Sequence, residues 1–143
     1  MAARIIYVGA PEADAASFDA RARSDFPGIP LFATNHRAEA LQHLAGTEAI
    51  IGHHFQFDEA MLAAAPQLRW VQSLTTGTDA ILKLRALRPE TTVTSTRGMH
   101  GPQMSELVFL QMLALCRDFP QMQRNQTAHL WKRWPQQIGR AHV

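Results

Sequence analysis

Apolar and polar positions along this chain fall into short alternating blocks. RIIYVGA (4–10) is rich in β-branched and aromatic residues, is closed by Gly9 and Pro11, and predicts a strand. DAASFDARARSDF (14–26) predicts a helix, with Ala16, Phe18, Ala22 and Phe26 roughly on one side. PLFATN (30–35) predicts a short strand, with Asn35 as a turn or cap residue. HRAEALQHLAG (36–46) predicts a helix ending at Gly46, the usual residue past a helix C-terminus. AIIGHH (49–54) is a third strand, followed by a helix over FDEAMLAAAPQ (57–67), capped by Asp58 and stopped near Pro66. LRWVQSL (68–74), TDAILKLRAL (78–87) and TTVTSTRG (91–98) continue the alternation as strand, helix and strand.

Five strands separated by helices of about ten residues predict an α/β fold: a parallel sheet with helices on both faces. The strands read as apolar on both sides, as buried parallel strands do. Connections are right-handed by default, and ligands in such sheets sit beyond the carboxyl ends of the strands.

From Gly101 a longer pattern begins. Pro102 suits a first helical turn, and Met104, Leu107, Val108, Met112, Leu115, Phe119 and Met122 recur at helical spacing. Phe109, Leu110 and Leu113 make this helix apolar nearly all round as far as Cys116, which predicts burial by its own domain and by a neighbour. Pro120 is expected to end or kink it near Phe119. The segment QMQRNQTAHLWKRWPQ reads as a connecting helix with tryptophans as anchors. The expected division is a sheet domain over 1–101, a long helix with its connector over 102–137, and a non-native tail over 138–143. The tail IGRAHV is what ATCGGAAGAGCACACGTC, a sequencing adapter, encodes in frame. Setting the tail aside removes Arg140 and takes the formal charge from +2 to +1.

Composition narrows the classes. The chain has 143 residues, enough for one ordinary domain with a core, and 46% are hydrophobic. Its positive charges are scattered and nearly all arginine, with Lys83 and Lys132 the exceptions, so a pI near 9.2 argues little for nucleic acid. No apolar run is long enough to span a membrane, and MAARIIYVGA lacks the features of a signal peptide, which makes the cytoplasm the default. The single cysteine, Cys116, excludes an internal disulfide framework and reads as a small buried hydrophobe.

The stretch SLTTGTDAI (73–81) carries the most chemistry. Thr75, Thr76 and Gly77 can turn backbone N–H groups outward, Gly77 permits positive φ or close approach, and the helix beginning near Asp79 adds a partial positive charge. These features suit a carboxylate or a phosphate. The plainer alternative is a turn in which Thr78 or Asp79 caps a helix. None of the eight glycines forms G-x-G-x-x-G or G-x-x-x-x-G-K, so the chain carries no dinucleotide or P-loop fingerprint. No metal site is expected: His53 and His54 are adjacent on extended chain and point apart, with no Cys or carboxylate cluster nearby. His100 reads as an exposed capping residue, and Glu106 as an acid favoured by a helix N-terminus.

The run from APQLRWVQSLTTGTDAI through VTSTRGMHGPQMSELVFLQMLALCRDFPQMQRN to tryptophan resembles the D-isomer-specific 2-hydroxyacid dehydrogenases. The similarity rests on the glycine loop TTGTD after the fourth strand, a short strand and small-residue turn, and a helix whose Ser105–Glu106 stands where the family has Ala-Glu. A tryptophan, here Trp131 or Trp134, then precedes the cofactor domain. The resemblance covers Ala65 to about Trp134 well, and the earlier residues only through their alternation. It implies a flavodoxin-like substrate domain over 1–101, an interdomain or dimerisation helix with its connector over 102–137, and hydride transfer between NAD(P)H and C2 of a small 2-oxo acid, giving the D-hydroxy acid. It implies that Thr75, Thr76 and Gly77 bind the substrate carboxylate, that Met104 lies near the nicotinamide, and that the long helix packs across a twofold homodimer. The family's catalytic Arg, Glu and His fall downstream of this chain, so neither Glu106 nor His100 takes those roles, and the chain alone is expected to be inactive. The alternative is a stand-alone flavodoxin-like module that binds an anion or a partner without catalysis.

Overall fold

The computed structural model describes residues 5–11 and 15–134. Five strands, β1 (Ile5–Val8), β2 (Leu31–Thr34), β3 (Ala49–Gly52), β4 (Trp70–Ser73) and β5 (Thr92–Ser95), form one sheet in the order β2-β1-β3-β4-β5. Every pairing is parallel. Helices α1 (Ala15–Asp25), α2 (Arg37–Gln42), α3 (Glu59–Ala63) and α4 (Asp79–Leu82) stand between the strands, and α5 (Gly101–Cys116) and α6 (Phe119–Thr127) follow. This is the parallel α/β arrangement that the alternation predicts, and the flavodoxin-like one that the resemblance implies. The chain divides into two compact units, Met1–Gly98 and Met99–Val143.

Strand order and handedness place the helices of the first unit. The step from β1 to β2 goes one way along the sheet, and the three later steps go the other way. Right-handed crossovers therefore put α1 on one face and α2, α3 and α4 on the opposite face. The core agrees with this assignment. Ile6, Val8, Ile50 and Val71 are fully buried in one cluster with Ala40 and Leu44, Met61 and Leu62 of α3, and Ile81 of α4. Tyr7 points the other way, between Ile6 and Val8, and its ring stacks on Phe18 of α1 at 3.9 Å between centroids.

Several expectations are corrected by how the chain packs. The inward residues of α1 are Ala15, Phe18 and Ala22, whereas Ala16 is exposed and Phe26 is 61% exposed. The strip i, i+3, i+7 measured from Ala15 is the one that reaches the sheet. Helix α2 stops at Gln42, because the chain turns to bury Leu44 completely, and Gly46 takes its positive φ of 81° in the turn before β3. The strands are not apolar on both sides throughout. On the α1 face, edge strand β5 presents Thr92 and Thr94, and Trp70 and Gln72 of β4 stand beside them in register. Trp70 Nε1 donates to Thr94 Oγ1 at 2.7 Å, and Thr94 Oγ1 donates to Gln72 Oε1 at 2.7 Å, a polar ladder in place of an apolar surface. The Asp58 cap is present: its carboxylate accepts from Met61 N at 2.8 Å and is paired with Arg37.

The second unit departs further. Helix α5 ends at Cys116, and Asp118 takes a left-handed φ of 48° before α6 begins. The helical run thus breaks near Phe119 as expected for Pro120, which itself sits in the first turn of α6, where its missing N–H is harmless. No residue of α5 is buried, and Cys116 is exposed, contrary to the predicted burial of both. The sequence assigned part of that cover to a neighbour. Trp131 is 98% exposed and anchors nothing in the second unit. The tail 138–143 lies outside the described residues.

Candidate functional site

The loop 74–78 leaves β4 at the carboxyl edge of the sheet. Because β3 and β4 are neighbours in register, the residues just past Gly52 and just past Ser73 emerge side by side. Leu74 N–H donates to Gly52 O at 2.8 Å, extending the ladder one residue beyond the strand. Ser73 is fully buried, and its hydroxyl holds the base of the loop. Thr75 N–H donates to Ser73 Oγ at 3.3 Å, and the Ser73 and Thr75 hydroxyl oxygens lie 2.9 Å apart. Thr75 Oγ1 donates to Gly77 O at 3.2 Å, and His54 Nδ1 lies 3.1 Å from the same Thr75 oxygen.

Beyond this knot, Thr76 and Gly77 are exposed. Among the described residues their backbone N–H groups donate to nothing. Gly77 does not have positive φ, contrary to one of the two expectations for it, and a Cβ built on it meets nothing within 4 Å. The fold of this unit therefore does not demand glycine at 77.

Two other expectations for the loop change. Helix α4 is only four residues long, so it adds little helix dipole. Thr78 occupies its N-cap position but makes no side-chain cap hydrogen bond, so the loop is not explained as a helix cap.

A second polar group lies at the carboxyl ends of β1 and β3, the point where the strand order reverses. Gln56 is buried in the 3-10 turn His54–Gln56. Its Nε2 donates to Gly9 O at 2.6 Å and its Oε1 accepts from His53 N–H at 2.8 Å. Here a glycine is demanded: a Cβ at Gly52 would stand 2.9 Å from Gln56 Oε1 and 3.3 Å from Val8 O. The His53 ring stacks on Phe55, and the His54 ring meets Phe55 edge-on. No group of three or more potential metal-ligating side chains exists among the described residues. Sequence reasoning missed Ser73, His54 and Gln56 as partners of this edge. The usable signal was the strand order, which makes β3 and β4 neighbours.

No protein-family model matches the sequence, and no curated relative matches it. Solved structures do. A D-isomer specific 2-hydroxyacid dehydrogenase family protein from Aeromonas salmonicida subsp. salmonicida A449 aligns with TM-score 0.81 and 25% identity, over 96% of this chain and 43% of that one. The fold is that of the D-isomer-specific 2-hydroxyacid dehydrogenases. A second member, from Xanthobacter autotrophicus Py2 and solved with NADPH and MES, aligns with TM-score 0.66 and 16% identity over 96% of this chain. An NADPH-dependent glyoxylate/hydroxypyruvate reductase from Sinorhizobium meliloti, solved with NADP and sulfate, aligns with TM-score 0.71 and 22% identity over 92% of this chain. The chain spans 43%, 43% and 40% of the lengths of these three dehydrogenases.

Within that dehydrogenase fold, the remaining predicted residues lie in the second unit. Met104 is on the first turn of α5 and is 55% exposed. Ser105 Oγ donates back to Gly101 O at 2.9 Å, and Glu106 is exposed. His100 occupies the N-cap position of α5 without a side-chain cap hydrogen bond, so its exposure is as expected and its capping is not. Among the described residues no dinucleotide site is formed. The segment after β1, VGAPEAD, has one glycine where a pyrophosphate cradle needs three, and one exposed methionine is no binding site. No helix among the described residues is long and apolar enough to cross a membrane.

Proposed function

We propose that this chain is the substrate-binding part of an NAD(P)-dependent D-2-hydroxyacid dehydrogenase, and that Thr76 and Gly77, with Thr75 beside them, hold the carboxylate of a small 2-oxo or 2-hydroxy acid. The observation that carries the reading is the pair of consecutive exposed N–H groups at Thr76 and Gly77, without an acceptor among the described residues, on a loop pinned from below by Ser73 and Thr75. Main-chain donors fixed in place suit a carboxylate, because hydrogen bonds to a charged acceptor are shorter and stronger than neutral ones. The bare side of Gly77 lets the carboxylate reach its N–H without meeting a side chain. The likeness over 96% of the chain to a dehydrogenase of the family adds support.

The remainder of such an enzyme carries the cofactor and the acid–base groups that complete hydride transfer at C2. In that assembly Met104 lies against the nicotinamide, and α5 packs across a homodimer. Support for the dimer is the run Leu107 to Leu115, whose large apolar residues are 47% to 79% exposed. The chain by itself binds the acid and does not turn it over.

The test is a Gly77→Val variant titrated with oxamate, a stable isostere of a 2-oxo acid. The branched side chain shields both N–H groups, and binding is expected to weaken by roughly tenfold or more, the worth of one or two charge-assisted hydrogen bonds. Equal affinity in the variant and the parent chain removes the loop from the site.

A further inference from the structure

We infer that His54 is a positioning residue for the carboxylate loop, acting as an Nδ1–H donor that fixes the Thr75 hydroxyl and, through it, Gly77. The inference rests on the reading that this loop holds a carboxylate, and it adds a residue from a different strand end.

Thr75 Oγ1 has three partners: Gly77 O at 3.2 Å, Ser73 Oγ at 2.9 Å and His54 Nδ1 at 3.1 Å. A hydroxyl has one hydrogen to give and two lone pairs to receive with. Gly77 O is a carbonyl and only accepts, so the Thr75 hydrogen belongs there. Both other partners must then donate to Thr75. Ser73 can do so, because its own oxygen meanwhile accepts from Thr75 N–H at 3.3 Å. His54 can do so only when Nδ1 carries hydrogen. The neutral Nδ1–H form and the imidazolium both satisfy this, and the Nε2–H form does not. If Nδ1 were bare, the Thr75 hydrogen would turn toward it. Gly77 O, which has no other partner among the described residues, would then face an oxygen lone pair.

The consequence reaches the anion donors. Gly77 has no Cβ, ordinary φ and open space around it, so nothing steric holds its ψ angle. The bond from Thr75 to Gly77 O supplies that restraint. The same bond closes a ring through the Thr75–Thr76 and Thr76–Gly77 peptides, the planar units that carry the two donor N–H groups, and so restrains both. His54 is exposed, stands 21 residues from Thr75 in sequence, and touches the loop by its ring edge. Its removal therefore loosens the loop without opening the core.

Two measurements on the full chain test this. Long-range proton–nitrogen spectra report which His54 nitrogen carries hydrogen, and Nδ1–H is expected. Oxamate is then titrated into the parent, His54→Asn and His54→Phe chains, following the Thr76 and Gly77 amide signals. Asparagine places an N–H close to the Nδ1 position, so His54→Asn is expected to bind oxamate nearly as the parent does. Phenylalanine keeps the ring without the donor, and His54→Phe is expected to bind roughly three- to tenfold more weakly, the worth of one net hydrogen bond. A bare Nδ1, or parent-like binding by His54→Phe, overturns the role of His54 and leaves the carboxylate reading standing. Thr76 and Gly77 amides that never respond to oxamate in the parent chain overturn both.

Discussion

Gln56 donates its side-chain amide to the carbonyl oxygen of Gly9 at 2.6 Å, across 47 residues of sequence, and so ties the exits of β1 and β3 together. The same side chain receives His53 N–H. Replacing it with leucine removes both bonds and leaves the Gly9 carbonyl and the His53 N–H to find other partners. Gln56→Leu is expected to lower unfolding free energy by about 1–3 kcal/mol, the cost of leaving a buried polar group unpaired. Gln56→Glu should fall in the same range, because a carboxylate cannot donate to Gly9. Urea unfolding of the two variants checks this, and a parent-like midpoint for Gln56→Leu would show that the tie contributes nothing.

At the start of α3, Asp58 joins a cap to a charge. The Met61 N–H donated to its carboxylate, and then Arg37, hold Asp58 below the usual carboxylate range against the opposing effect of desolvation. Asp58→Ala is expected to cost about 1 kcal/mol, as for other N-caps. The pH dependence has a definite sign. A carboxyl with a depressed pKa in the folded state adds stability that is fully present above its unfolded value near 3.9, on the order of model peptides. That stability disappears as pH falls through the folded value. Thermal unfolding of parent and Asp58→Asn should therefore differ at neutral pH and converge in acid, and a constant gap across that range would contradict the assignment.

Helix α5 gives a prediction about association. Leu110 and Leu113 are 61% and 62% exposed in a single chain. Sedimentation of the parent chain is expected to show concentration-dependent self-association, and Leu110→Glu with Leu113→Glu should shift it toward monomer. Because both positions are exposed, their effect on unfolding should stay within about 0.5 kcal/mol each. A parent chain that is monomeric at all concentrations removes the dimer face.

The alternation of apolar blocks was enough to foresee five strands and an all-parallel sheet, because Ile6, Val8, Ile50 and Val71 serve no other purpose than burial. It was less able to foresee helix lengths. The pattern from Thr78 to Leu87 is helical in spacing, yet α4 is a single turn. Arg85 N–H and Ala86 N–H are taken by the Glu59 carboxylate at 2.9 and 2.7 Å, a partner 26 residues away that no local pattern reveals. Cys116 looked buried because its neighbours are apolar, but apolar neighbours along a helix do not provide cover. At the site, TTGT was visible as a loop suited to an anion. The His54 contact was not, since it depends on which strand ends lie side by side, and the Ser73–Thr75 contact, though only two residues apart, depends on how the loop turns.

The central claim is that Thr76 and Gly77 N–H groups hold a carboxylate. The most direct measurement is an amide-resolved titration of the chain with oxamate and, in parallel, with neutral ethyl oxamate, which keeps the carbonyl and loses the charge. The account predicts saturable shifts at Thr76 and Gly77 with oxamate and none of comparable affinity with the ester. Unmoved amides at these two residues, or equal responses to both compounds, would contradict it.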